Sequence, residues 1–501
     1  MLTPRHATLT VRENSISRLL EGIGVNWCDA FGMGGDSGLG QRDTPLNTPT
    51  IPLLDNLDGW RALLDDLTML KAGCIRFLLP PEGFITRRGT MDFDSAHFQR
   101  LERLNEWAGA NGASIILDTV CVPHHLQVKG EDGPGWALNN RAAADPILFA
   151  EKFAGPLLDY CVAERGWAQI RYYSPINEPL YGGIAHHSKG GNHRAYAGLM
   201  ASLRKELIDR ELVPQRISLM GPGSPTVEDW PIPDFHSRGL DLDPLLDAYD
   251  QHERSARFDG APPNSNGDSL PMTELIERHL KPHVQFAEER GKPFLVTELR
   301  HGYYGARRGD RNGPSSHDTF VLDAEFAVRA INAGVQGLMR WSFLNPGDID
   351  GRWQFLDPAG ESFHRRDNTF YGYATLIRYA RPHAEVLETV VESEFYPFPH
   401  IHACALRKSP QGDLTVLVVN DHESEQVELA VKLPASLRKK ISIIRTDRAE
   451  KHAKIDETKR DFTDRLPPRS LTAYTTLDYD PLVRANEAGS SGERAAASSS
   501  A

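Results

Sequence analysis

Residues 170–179 read Ile170-Arg171-Tyr172-Tyr173-Ser174-Pro175-Ile176-Asn177-Glu178-Pro179. The run Ile170–Ile176 is short and mostly apolar, and it breaks off in a proline-flanked polar triplet. That is the form of a buried strand whose end meets a polar rim. Outward from it the same rhythm recurs from residue 22 to about residue 343: a short apolar run, a Gly/Pro or polar turn, then a longer amphipathic stretch. Upstream lie Gly22–Cys28, Cys74–Leu79 and Ser114–Val120. Downstream lie Ile217–Gly221, Leu245–His252, Phe294–Glu298 and Gly337–Phe343. Helical periodicity fills the gaps at Leu57–Ala72, Ser95–Asn111, Pro146–Glu164, Asn192–Arg210, Met272–Arg290 and His317–Ala333. Several of these stretches end in glycine (Gly73, Gly112, Gly291, Gly334), as helix C-termini do. Eight strands alternating with helices predict an α/β fold of the closed (β/α)8 barrel type. An open doubly wound sheet is the rival, and no phosphate-binding glycine fingerprint supports it.

After a helical segment at Asn368–Ala380 the pattern changes to strand-like pieces with no amphipathic helix between them. They are Glu385–Glu394, His400–Arg407, Leu414–Asn420, Gln426–Val431, Ile441–Arg445 and Leu471–Leu477, and they predict a C-terminal antiparallel β-sandwich of structural rather than catalytic role. The early piece Ala7–Val11 is expected to pair with that sandwich. The predicted division is 1–20 for the N-terminal segment, 21–384 for the barrel, 385–478 for the sandwich and 479–501 for a tail. The stretch Ala488–Ala501 is Ala/Ser/Gly-rich, without core-forming residues, and is expected to be disordered.

The chain has 501 residues, 40% of them hydrophobic and 25% charged, a balance that suits a globular protein with a large core. Its 56 Lys+Arg against 68 Asp+Glu leave a net charge of −12, which argues against a nucleic-acid binder. No apolar run reaches the length of a membrane span, and the first residues lack a secretory signal pattern, so a cytoplasmic protein is expected. Five cysteines (Cys28, Cys74, Cys121, Cys161, Cys404) lie far apart without zinc spacing and read as free thiols.

In a barrel the chemistry belongs at the C-terminal ends of the strands. Glu178 follows the fourth strand and Glu298 ends the seventh, in Phe294-Leu295-Val296-Thr297-Glu298. A carboxylate there is costly to desolvate and needs a partner or a purpose. Asn177-Glu178-Pro179 and Glu298, taken with Arg76 on the second strand and Trp341 on the eighth, resemble clan A of the retaining glycoside hydrolases. The sandwich is similar to that of families 30, 39 and 51, and the segment Phe370-Tyr371-Gly372-Tyr373 through Pro382 resembles the helix leading into the sandwich in families 30 and 39.

The resemblance implies a carbohydrate substrate, no cofactor, no metal, and cleavage of a β-glycosidic (or α-L-arabinofuranosidic) bond with retention. Glu178 would be the acid and later the base, and Glu298 the nucleophile. Arg76 would keep Glu298 ionised, Asn177 would donate to the sugar 2-hydroxyl, and Trp341 would floor the sugar ring. His252 matches a histidine often found on the sixth strand, and either His124 or His125 matches one after the third. Two positions past His252, where tyrosine is frequent in the clan, this chain has Arg254, so Tyr303 or Tyr304 would serve instead. Asp36, in the glycine-rich run Gly32–Gly38, reads as a mouth-loop residue touching substrate, and His186, His187 and His193 as a polar substrate loop. Long loops at Pro222–Pro244 and Asp259–Pro271 would wall the mouth into a pocket suited to chain ends or short oligosaccharides. Two rival readings stay open: a metal-dependent barrel hydrolase built on the histidine pairs, and a barrel that binds carbohydrate without cleaving it.

Overall fold

Eight parallel strands close into a barrel in chain order: Gly22–Cys28, Cys74–Leu79, Ser114–Thr119, Ile170–Ser174, Ser218–Gly221, Ala248–Glu253, Phe294–Leu299 and Gly337–Leu344, the last pairing back onto the first. A computed structural model describes residues 5–28, 57–86, 89–119, 122–123, 126, 145–179, 191–224, 227, 230–263, 269–302, 313, 316–344, 353–359, 362–395, 399–409 and 412–482. The eight apolar runs of the sequence are these eight strands, with end shifts of three residues at most.

Side chains alternate across a strand, so every second residue points into the barrel. The inward set forms layers. Cys74, Ile116, Tyr172, Met220, Ala248, Leu295 and Met339, one from each of seven strands, make an apolar cluster of their own. On the first strand Gly24 faces Cys74 so closely that a Cβ would lie 1.9 Å from the Cys74 carbonyl oxygen, and no larger residue fits there. Two residues further toward the C-terminal ends the layer turns polar: Asn26, Arg76, Asp118, Ser174, Asp250 and Thr297, all buried. The alternation thus builds an apolar floor beneath a polar mouth.

The outer strand faces are covered by helices. Helix Ala96–Asn111 starts with the Ser95 hydroxyl accepting from the Phe98 amide and ends at Gly112 in the left-handed conformation (φ 65°). It buries Phe98, Leu101, Leu104 and Ala108 at helical spacing. The stretch expected as one helix over 146–164 contains two wide π turns, Ala150–Ala154 and Asp159–Glu164. A third, Leu275–Leu280, interrupts 272–288. Two of these turns end just before a proline pair, Gly155-Pro156 and Lys281-Pro282, where the ring supplies no amide and crowds the preceding turn.

The second layer of structure is a nine-stranded sheet, ordered Ala453–Thr458, Ile441–Thr446, Ser470–Thr475, Leu414–Asn420, Ile401–Arg407, Ala384–Ser393, Arg5–Leu19, Val427–Lys432, Phe462–Leu466. Strands far apart in that order share one core of Leu9, Leu387, Val416, Val427, Leu429, Ile443 and Leu466, because the sheet folds over on itself as a β-sandwich. The alternate residues Cys404, Leu406, Leu417, Val419, Ile444 and Leu471 belong instead to the barrel's core. Strand Arg5–Leu19 pairs antiparallel with Ala384–Ser393 and parallel with Val427–Lys432, so the N-terminal segment joins the sandwich. It runs beyond the expected Ala7–Val11, with a register shift between Val11 and Ser15 where polar residues interrupt the alternation. Two strands of this sheet escape sequence reading, Ala453–Thr458 and Phe462–Leu466. Both are polar and lie at the two sheet edges, where charged residues discourage pairing with another chain.

Among the described residues no helix is long and apolar enough to cross a membrane. Among the described residues Cys28, Cys74, Cys161 and Cys404 are buried and form no disulfide. Burial pushes the Cys404 thiol up to about 12, which leaves it unreactive. Cys121 and the tail from 483 onward lie outside the described residues.

Candidate active site

Arg76 is the hub of the mouth. Its guanidinium, fully buried, donates from Nη1 to Glu298 Oε1 at 2.8 Å and to Asn26 Oδ1 at 3.0 Å. From Nη2 it donates to Asp118 Oδ2 at 2.7 Å and to Asn177 Oδ1 at 2.6 Å. Nε adds a 3.2 Å bond to the same Asp118 oxygen. Asn26 is itself fixed by donating to the carbonyls of Thr297 at 2.9 Å and Met339 at 3.2 Å. The planar fork therefore ties the ends of four other strands to the second.

Glu298 reaches this hub through a local irregularity. Thr297 already points inward, donating to Asp250 Oδ2 at 2.8 Å. The pairing of the seventh strand with the sixth then shifts between Val296 and Glu298. An extra residue in one strand turns two consecutive side chains to the same face, and so Glu298 also enters the mouth. Glu178 is placed by another device, a left-handed backbone (φ 45°) immediately before Pro179. Side-chain-bearing residues hold that conformation only where their surroundings impose it.

The two glutamates face each other. One oxygen of each, together with a His252 nitrogen, fall within 4.8 Å of one another. His252 Nδ1 lies 2.8 Å from Glu178 Oε1 and 3.6 Å from Glu298 Oε2. Arg254 Nη2 contacts Glu178 Oε1 and lies 3.2 Å from Glu298 Oε2, bridging the pair. Burial opposes a charge on Glu298, but His252, Arg76, Arg254 and Arg300 outweigh it and hold this carboxyl far below the usual carboxylate range. Burial drives His252 itself down to about 4, against the opposing pull of Glu298. Burial also raises Asp118 and Asp250 above the ordinary aspartate value, against the pull of nearby positive groups.

Glu178, Glu298, Arg76, Asn177 and His252 thus meet in one place. Trp341 is nearly buried, packed with Cys28, Leu78 and Trp353, and the Arg300 guanidinium lies 5.2 Å from its ring centre. His193 is not part of the cluster: it pairs with Asp234 at 2.6 Å and lies edge-on to Phe235. Asp36, His124, His125, Tyr303, Tyr304, His186 and His187 lie outside the described residues. Sequence reading overlooked Asn26 and Asp118, whose only signal is a polar residue at an inward position of an apolar strand. It noticed Arg254 only as a departure. In donor type Glu178, Glu298 and His252 suit a divalent ion, but the Arg254 guanidinium already lies against both carboxylates and leaves a cation a poor fit.

No family model matches the chain, and no curated protein sequence matches it. Solved structures do. A family 30 endoxylanase from Clostridium papyrosolvens superposes with a TM-score of 0.60 at 13% identity, covering 94% of this chain and 99% of that one. An alpha-L-arabinofuranosidase from Thermotoga maritima gives 0.58 at 13%, covering 94% and 99%. A family 39 enzyme from Xanthomonas axonopodis pv. citri gives 0.57 at 13%, covering 95% and 97%. The chain is built on the barrel-plus-sandwich fold of the clan A glycoside hydrolases. Structures of families 30, 39 and 51 are all among the matches, and the likeness selects none of them.

Proposed function

We propose that the protein is a retaining glycoside hydrolase that cleaves a β-glycosidic or α-L-arabinofuranosidic bond by double displacement, acting at chain ends or on short oligosaccharides. The observation that carries this reading is the pair Glu178 and Glu298, with oxygens within 4.8 Å across the mouth. Retaining enzymes hold their carboxyls about 5–5.5 Å apart, whereas inverting enzymes leave about 6.5–9.5 Å for a water.

Glu298, kept ionised by Arg76, attacks the anomeric carbon, while Glu178 protonates the departing oxygen and later deprotonates the incoming water. Asn177 offers its Nδ2 to the sugar 2-hydroxyl because Arg76 already holds its Oδ1. A general acid must carry a proton, whereas a guanidinium favours the ionised carboxyl. Arg254 therefore has to leave Glu178 when the glycosidic oxygen enters. Two carboxylates suffice for this chemistry, and no cofactor is required.

The test is an aryl-glycoside panel (xyloside, glucoside, galactoside, fucoside, arabinofuranoside) followed by chemical rescue. Glu298→Gly should be inactive and recover with azide, giving an azide product of inverted configuration. Glu178→Ala should keep the first step on activated aryl glycosides, and azide should give a product of retained configuration. Exchanged stereochemistry would mean the roles are swapped. Absence of turnover across the panel would favour a carbohydrate-binding barrel.

A further inference from the structure

A second buried polar cluster lies at the seam between barrel and sheet, and the chemistry proposed above makes no use of it. Glu325 sits on helix His317–Asn332, which packs against the sheet. His402 sits on strand Ile401–Arg407, and Asp421 directly follows strand Leu414–Asn420. The side chains are 0%, 8% and 1% exposed.

The imidazole Nε2 of His402 is buried, makes no hydrogen bond, and points between the two carboxylates. It lies 3.4 Å from Glu325 Oε1 and 3.5 Å from Asp421 Oδ2. Glu325 Oε2 is likewise buried without a hydrogen-bond partner. One donor atom from each residue lies within 4.8 Å of the others.

These separations are long for hydrogen bonds. They do match the edge of a coordination tetrahedron: metal–ligand bonds of about 2.0–2.2 Å place neighbouring ligand atoms about 3.3–3.6 Å apart. Asp421 has the outer support that metal-binding carboxylates have. His400 Nδ1 lies 2.6 Å from its Oδ1, so that Oδ2 is the oxygen turned to His402. Arg329 donates to the same Glu325 Oε1 at 3.0 Å and offsets part of the negative charge, while Oε2 keeps no hydrogen-bond partner. One imidazole with two carboxylates suits zinc better than calcium or magnesium, which take about six or more oxygen ligands.

The geometry points to a structural zinc site formed by Glu325, His402 and Asp421, oriented by His400, that ties the helix after the seventh strand to the β-sandwich. It stands apart from the two glutamates of the mouth and does not depend on the glycosidase reading.

The full-length protein, stripped with chelator and dialysed, is titrated with zinc chloride while bound metal and melting temperature are followed. One ion per chain is expected, with a melting-temperature rise that saturates at one equivalent. His402→Gln should abolish both effects, and His400→Ala should weaken affinity about 10–100-fold. Asp241→Asn, in the more exposed group His236, Asp241 and Asp243, should leave both unchanged. Equal stoichiometry and equal stabilisation in wild type and His402→Gln would overturn the site, as would failure of the wild type to retain zinc. Should His402→Gln not fold, anomalous scattering from zinc-soaked wild-type crystals decides. A peak among Glu325, His402 and Asp421 supports the site, and a map without a peak there refutes it.

Discussion

Arg254 Nη2 lies 3.2 Å from Glu298 Oε2, on the side of the carboxylate opposite the oxygen that Arg76 holds. The same nitrogen touches Glu178, so both carboxylates share one cation.

Removing that cation should make a proton easier to keep on Glu178. Arg254→Met is expected to move the alkaline limb of the kcat/KM profile upward by about one pH unit, the roughly 1.4 kcal/mol scale of one charge-assisted contact. Arg254→Lys should shift it less. An unchanged profile in Arg254→Met would show that the arginine does not govern the acid.

Arg76→Met strands Asp118 and Glu298 in a buried site without their shared cation. Breaking such a pair costs about 3–5 kcal/mol, which urea unfolding would register. Asp118→Asn in the same chain should recover part of the loss but not activity, since Glu298 still lacks its partner. Full stability in Arg76→Met would contradict the hub role.

Asn177→Ala should reduce kcat on ordinary aryl glycosides by the several kcal/mol that a transition-state contact to the 2-hydroxyl supplies. On the matching 2-deoxy glycosides wild type and variant should turn over alike. A loss of equal size on both substrates would assign Asn177 to holding Arg76 in place instead.

His301 offers a pH test of stability. It is fully buried, with Nδ1 2.6 Å from Asp323 and Nε2 3.4 Å from Glu253. Burial pushes the ring down, but the two carboxylates overcome it and raise it to about 9. Unfolded, it returns to about 6.5. The folded form thus binds the proton more tightly, and its stabilisation is complete below pH ~6.5 and is lost as pH rises through ~9. The amount at stake is of order 3 kcal/mol. Denaturation midpoints measured from pH 6 to 10 should fall over that window, and His301→Gln should flatten this part of the curve.

Much of the architecture was legible from pattern alone. The barrel strands stand out because helices cover their outer faces, so each is an almost unbroken apolar run bounded by turns. The sandwich strands Ile401–Arg407 and Leu414–Asn420 stand out for the same reason, having one face in the sandwich core and the other on the barrel. Ala453–Thr458 and Phe462–Leu466 carry no such signal, because an edge strand is half solvated and its polar residues resemble a loop.

What the sequence determined by itself is the order of elements, the apolar floor, and two glutamates at the ends of the fourth and seventh strands. Those properties are local: each follows from residues within one strand or helix and their hydropathy. Which groups meet in the mouth was decided only by closure of the barrel. Arg76 and Glu298 are 222 positions apart and come within 2.8 Å because strands two and seven share one small circumference and a register shift at Thr297 turns the glutamate inward. The position of Arg254 between the two carboxylates belongs to the same class of fact. Its charge is plain in the sequence, but its partner is set by the direction in which the chain leaves the sixth strand, and hydropathy carries no information about that.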